Sequence, residues 1–121
     1  MILFVQGHFL LQSLGDQKFV FNGEEAQDAG IHLMTPSHFL KSNEKYDLVL
    51  NVDSLTEIGV EATRGYLSVI AKRAKYFFSI NHENNEFSIS DVVQEFEGFQ
   101  LISRNRSWVR RGYVEELYKI N

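Results

Sequence analysis

The sequence predicts one α/β domain over residues 1–121, with a mostly parallel sheet that closes in a C-terminal antiparallel hairpin. Three stretches carry that expectation. "YDLVLNV" (46–52) and "KYFFSI" (75–80) are continuous apolar runs of strand length, the pattern of strands buried on both faces of a parallel sheet. Residues 61–74 lie between them and repeat apolar side chains at helical spacing, as a crossover helix does. The tail, "FQLISRNRSWVRRGYVEELYKI", reads as two strands around Arg110-Arg111-Gly112, most simply a hairpin.

Composition narrows the function classes. A chain of 121 residues, 44% hydrophobic and 23% charged, is ordinary for one globular core. The net charge is −4, and no basic run is longer than two residues apart from the spaced Lys72, Arg73 and Lys75, so there is no electrostatic footprint for nucleic acid. Cysteine is absent, which removes disulfide and thiolate chemistry and makes a cytoplasmic location the easier reading. No apolar run approaches the ~18 residues that span a bilayer. The apolar start, "MILFVQGHFLLQSLG", has no basic n-region, since the first lysine is Lys18, and is expected to belong to the fold.

Taken in order, residues 1–14 fit a helix that stops near Gly15 and is buried on most sides or meets a partner. "KFVFN" (18–22), closed by Asn22-Gly23, and "IHLM" (31–34) are short strands. The loop between them is too short for a helical crossover, so if they pair they are expected to pair antiparallel. After strand 46–52, Ser54-Leu55-Thr56-Glu57 matches a capping box that would start the next helix. Ala62, Tyr66, Val69, Ile70 and Ala74 form its expected buried stripe, with Arg64, Ser68 and Lys72 on the wet face. Ser88 or Ser90 then opens a short helix, with Ile89, Val92, Val93 and Phe96 inward and Gly98 as its stop.

The chemistry-bearing residues cluster where the two apolar strands end. Asn51, Asp53 and Ser54 follow the first, and Asn81, His82 and Glu83 follow the second. In open α/β sheets ligands sit beyond the carboxyl ends of the strands, so both groups are expected on one rim. Histidine is the commonest side-chain base near neutral pH, and a carboxylate such as Glu83 or Asp53 could orient it. Each residue also has a plainer reading: Asn and Asp suit turns, "NHENNE" suits a solvated loop, and Arg110 and Arg111 suit an exposed hairpin tip. His8, His32 and His38 lack metal-ligand spacing, and no metal is demanded elsewhere.

The segments Asn51–Ser54, Ser79–Glu83 and Arg110–Tyr113, in this order, resemble the C-terminal half of bacterial sugar O-methyltransferases, class I enzymes that use S-adenosylmethionine. The resemblance runs over essentially the whole chain and implies a partial Rossmann-like sheet. It implies His82, Glu83 and Asp53 as catalytic residues, with His82 the base, and Asn51, Asp53 and Ser54 at the cofactor. It implies Asn81, Arg110, Arg111 and Tyr113 at a sugar acceptor. Complete members begin with a glycine-rich turn against the cofactor, and no Gly-x-Gly occurs here. The expectation is therefore a truncated half that is not catalytically autonomous.

Two strands of the complete fold would be missing beside strand 46–52, leaving its edge open. "KFVF" or "IHLM" is expected to pair with that edge, or a second copy to cover it as a homodimer. A complementary N-terminal half is the other expected partner. The rival readings are a non-catalytic interaction module, one component of a split methyltransferase, or a receiver or flavodoxin-like domain. The last lacks an acidic pair or phosphate loop after a first strand.

Overall fold

The computed structural model describes residues 2–15, 17–21, 24 and 30–121. These fall into two compact units, residues 1–42 and 43–121.

In the first unit, α1 (Ile2–Ser13) is followed by β1 (Phe19–Phe21), β2 (Ile31–Leu33) and α2 (Pro36–Lys41). Val5, Phe9, Leu11 and Leu14 of the first segment are exposed, which corrects the expectation that it is buried on most sides. β1 and β2 form a two-stranded sheet of their own and run parallel, with Phe19 opposite Ile31 and Phe21 opposite Leu33. The expected antiparallel pairing is thus wrong. Returning past a three-residue strand requires only ~10 Å of reach, which a few extended residues span without a helix. Gly30 makes this possible at φ +148°, where an added Cβ would lie 2.6 Å from the Lys18 carbonyl oxygen. Asn22-Gly23 lies outside the described residues. Thr35 caps α2 by accepting from the His38 N–H, with Pro36 in the first turn.

The second unit contains β3 (Tyr46–Val52), α3 (Val60–Arg73), β4 (Ala74–His82), α4 (Ile89–Val93), β5 (Phe99–Arg106) and β6 (Tyr113–Ile120). Its sheet has the order β3-β4-β6-β5. β3 and β4 are parallel, while β6 is antiparallel to both β4 and β5. This is an α/β unit with a mixed sheet, and the expected mostly parallel sheet is corrected to one in which antiparallel pairings predominate. The reason is topological. The hairpin folds its second strand into the gap between β4 and β5 instead of outside them. β3 is an edge strand of this sheet, and neither β1 nor β2 pairs with it. Leu48, Leu50 and Val52 are exposed on it, which corrects the expectation that this strand is buried on both faces.

Phe77, Leu67, Ile70, Ile89 and Val92 are fully buried, and Tyr118 stacks on Phe77 with ring centroids 6.0 Å apart. The buried face of α3 is Thr63, Leu67 and Ile70; of the expected stripe Ile70 and Ala74 are buried, Tyr66 and Val69 are half-buried and Ala62 is exposed. The helix also begins later than the capping box at Ser54 implied. Its N-cap is Gly59, without a side-chain cap. Leu55 and Thr56 are buried, and Glu57 donates its N–H to the Ser54 carbonyl at 3.0 Å, so the segment closes as a turn. Thr63 then ties that turn to the helix through a hydroxyl bond to the Leu55 carbonyl at 2.5 Å.

The capping box belongs to α4. Ser88 accepts from the Asp91 N–H, and Asp91 accepts from the Ser88 N–H at 3.0 Å and hydroxyl at 2.6 Å. Those bonds, the hydroxyl's first, hold the Asp91 carboxyl below the usual carboxylate range. A carboxyl depressed in the folded state stabilises fully above its unfolded pKa of about 3.9 and loses that stabilisation as pH falls through the lower folded value. Asp91→Asn should therefore cost about 1 kcal/mol in urea denaturation at pH 7. The gap from the parent should close as pH falls below about 3.9. A gap that stays constant with pH would exclude this cap.

No described helix is long and apolar enough to cross a membrane.

Candidate functional site

The register of the parallel pair sets the site. Asn51 lies opposite Ser79 and Val52 opposite Ile80, so both strands end at the same side of the sheet. β6 starts there, with Tyr113 opposite His82. The residues after β3 and the last residues of β4 thus share a rim with the first of β6.

Two polar groups occupy that rim, one around Asn81 and one beside its neighbour His82, since successive strand residues point to opposite sides. The first group is buried. Asn81 donates through Nδ2 to Asn51 Oδ1 at 2.7 Å and to Ser79 Oγ at 2.8 Å, and its Oδ1 accepts from the Thr56 hydroxyl at 3.3 Å. Asn51 in turn donates to the Ser54 hydroxyl oxygen, and Asn85 Nδ2 donates to Thr56 Oγ1 at 2.6 Å. These amides pin the two strand ends and the 54–57 turn together. Asn81 spends both amide protons inside the protein.

The second group is the open ledge. Asp53 is the one described residue other than glycine with positive φ, at 53°. Aspartate tolerates this left-handed conformation better than most residues. Its N–H extends the ladder to the Ile80 carbonyl at 2.9 Å, and its carboxylate turns toward β6. The Tyr113 hydroxyl donates to that carboxylate, 2.9 Å from either oxygen, and Arg110 Nη1 donates to it at 3.1 Å. The Arg110 guanidinium also lies over the Tyr113 ring, 4.8 Å from its centroid. The bond to Asp53 pushes the Tyr113 hydroxyl pKa up, with burial and the carboxylate charge adding to it, so the phenol stays a donor.

His82 packs edge-on against the Tyr113 ring, 5.0 Å between centroids. It borders a cleft of about 430 Å³ with Glu83, Asn84, Arg111 and Gly112. Its Nδ1 accepts the Asn84 N–H at 3.0 Å. In the neutral ring the proton then sits on Nε2, so His82 presents a donor to the cleft. Glu83 does not orient it, because that carboxylate accepts from Arg104 Nη2 at 2.7 Å. Asp53 is committed to Tyr113 and Arg110. The ledge combines one carboxylate, the Tyr113 phenol oxygen, whose proton goes to Asp53, and one imidazole N–H, a set that can bind hydroxyl groups. A carboxylate offers about four lone-pair sites, so Asp53 keeps one to accept a further proton.

Of the residues expected from sequence, Asp53, His82, Arg110 and Tyr113 come together, while Asn51, Ser54 and Asn81 form the internal network. Arg111 lies on the cleft wall without an ion pair or hydrogen bond among the described residues. Asn51 and Ser54, assigned to S-adenosylmethionine by resemblance, spend polar atoms on each other, so they do not fit that cofactor as a set. Sequence reasoning missed Arg104, which links Glu83 to the buried Glu116, its Nε 2.9 Å from the Glu116 carboxylate. That pair was signalled by opposite charges facing one another across the hairpin, where Arg104 is register partner to Glu116. Among the described residues no three or more His, Asp or Glu side chains converge as a metal ion would require.

No family model matches the chain, and no curated protein matches it. The crystal structure of Thermoplasma acidophilum 1320 is similar to it, with a TM-score of 0.54 at 12% identity, covering 88% of this chain and 67% of that one. Likeness at that identity concerns the fold alone.

Proposed function

We propose that residues 43–121 form the acceptor-binding part of an S-adenosylmethionine-dependent sugar O-methyltransferase, one that is not catalytically autonomous. The observation that carries this reading is the convergence of Asp53, His82 and Tyr113 at the carboxyl ends of two adjacent parallel strands. Sugar hydroxyls both donate and accept, and the ledge offers both complements. In this reading His82 orients the acceptor through Nε2–H. The Nδ1 bond to Asn84 removes it from the role of base, and Asp53 becomes the proton acceptor in its place. Methyl donation in that family is the chemistry of the sulfonium cofactor. This chain's share is to position the hydroxyl and take its proton.

Calorimetric titration of S-adenosylhomocysteine into the full chain tests the reading. No saturating heat up to about 1 mM is the expected result, since Asn51 and Ser54 are spent on each other. Saturation in the micromolar range would contradict non-autonomy. A second reading is a non-catalytic interaction module. That reading draws on Leu48, Leu50 and Val52, which alternate along the edge strand β3 and are about half exposed. Its partner would be a second copy in a homodimer or a complementary N-terminal half.

A further inference from the structure

The connection between β5 and β6 builds a second recognition surface beside the ledge. Its base is fixed. Ser107 donates its N–H to the Tyr113 carbonyl at 2.9 Å, and Tyr113 donates to the Arg110 carbonyl at 3.2 Å. Arg110 is held by Asp53, so the tip lies between anchored ends. At that tip Trp108 is 99% exposed and Val109 91% exposed. Tryptophan is large and highly buried on average, so a bare indole on a braced turn is a surface without its complement.

Behind the tip lies an open cavity of about 630 Å³, within the range that holds a small ligand. Arg106, Trp108 and Arg111 line it, together with Glu83, Gly112 and Tyr113. The charges in this lining are unequal. Glu83 is neutralised by Arg104 at 2.7 Å. Arg106 and Arg111 have no hydrogen bond or ion pair among the described residues. Two arginines without an ion pair among the described residues therefore line the same space, and guanidinium forks match carboxylate and phosphate oxygens in pairs. Arg111 and Gly112 also line the cleft that holds His82, so a ligand seated here reaches toward the ledge.

The geometry points to a binding subsite for an acidic sugar, with the flat face of the ring on Trp108 and its carboxylate or phosphate on Arg106 and Arg111. The sugar part rests on the acceptor reading of the ledge. The acidic part rests on the uncommitted arginines alone. A membrane surface would also pair an exposed indole with cations, but here the arginines line a concavity that carries a carboxylate, in a chain of net charge −4.

Trp108 is the single tryptophan of the chain, so its emission reports on the site directly. Glucuronate and glucose 1-phosphate, titrated separately into the full chain without any methyl donor, should shift that emission saturably. The expected Kd is about 1 mM or tighter. Which probe binds tells carboxylate from phosphate. Binding should weaken at least about tenfold in Arg106→Gln/Arg111→Gln, as loss of charge-assisted bonds requires. Both positions are exposed, and an unchanged circular dichroism spectrum would establish that the double variant is folded. Glucose, lacking the acid, should bind at least about tenfold more weakly. The proposal is overturned if neither acid gives a saturable shift, if glucose binds as well, if the double variant binds unchanged, or if only phosphatidylglycerol vesicles move the emission. Because no cofactor is present, failure here leaves the S-adenosylhomocysteine result standing, and the converse also holds.

Discussion

Arg104→Leu should lower the stability of the unit formed by residues 43–121 by about 2–3 kcal/mol. The arginine is half exposed, but its main partner is not. Glu116 is only 4% exposed, and its carboxylate receives the Arg104 Nε bond at 2.9 Å. That bond also holds the Arg104 guanidinium above its usual pKa. Removing one partner of a fully buried pair costs about 3–5 kcal/mol, because a desolvated charge is left behind. Solvent on the arginine side reduces the figure here. For a unit of this size the loss corresponds to a fall in Tm of roughly 10–20 °C. Two controls separate the cause. Glu83→Gln removes only the exposed arm and should cost no more than about 1 kcal/mol. Arg104→Leu/Glu116→Leu removes both charges and should recover most of the loss. If the double variant is as unstable as the single one, the ion pair is not what the arginine contributes.

Gly112→Ala should cost about 2–4 kcal/mol, and the damage should centre on the ledge. The residue sits at φ +84°, where an alanine costs about 1 kcal/mol even in open space. The space is not open. An added Cβ would lie 2.6 Å from His82 Nε2 and 3.1 Å from its Cε1. The imidazole would have to turn, giving up its contact with the Tyr113 ring and its bond to the Asn84 N–H. Overpacking of this kind adds about 1–3 kcal/mol. With the ring removed by His82→Ala, the same glycine change should cost only the backbone share of about 1 kcal/mol. Equal costs in the two backgrounds would mean that His82 does not lie against Gly112.

β3 and β4 were legible because a continuous apolar run bounded by polar residues has few alternatives. The start of α4 was legible through Ser88, whose partner Asp91 supplies the carboxylate of the cap, but the helix ends at Val93 and not at Gly98. The same kind of pattern misled at Ser54. There the Glu57 N–H bonds the Ser54 carbonyl and closes a turn, and the helix starts only after Gly59. α2 was missed although Thr35-Pro36 is a sound start signal, because the helix has only six residues and little apolar periodicity. Asp53 and His82 could be placed on one rim from adjacency of the strands alone. The Tyr113 bond to Asp53 spans 60 residues and depends on β6 lying next to β4, a property of topology that no local pattern carries. The burial of Asn51 and Asn81 was hidden for a similar reason, since it follows from which face α3 and the turn cover.

The most direct test of the shared ledge is a nuclear Overhauser measurement on the ring protons of His82 in the full chain. With ring centroids 5.0 Å apart and Gly112 against the imidazole, cross-peaks should appear to the Tyr113 ring and to the Gly112 α protons. Both sets should weaken together in Gly112→Ala. An imidazole with no cross-peak to either residue would place His82 away from the start of β6, and the convergence with Asp53 would be lost with it.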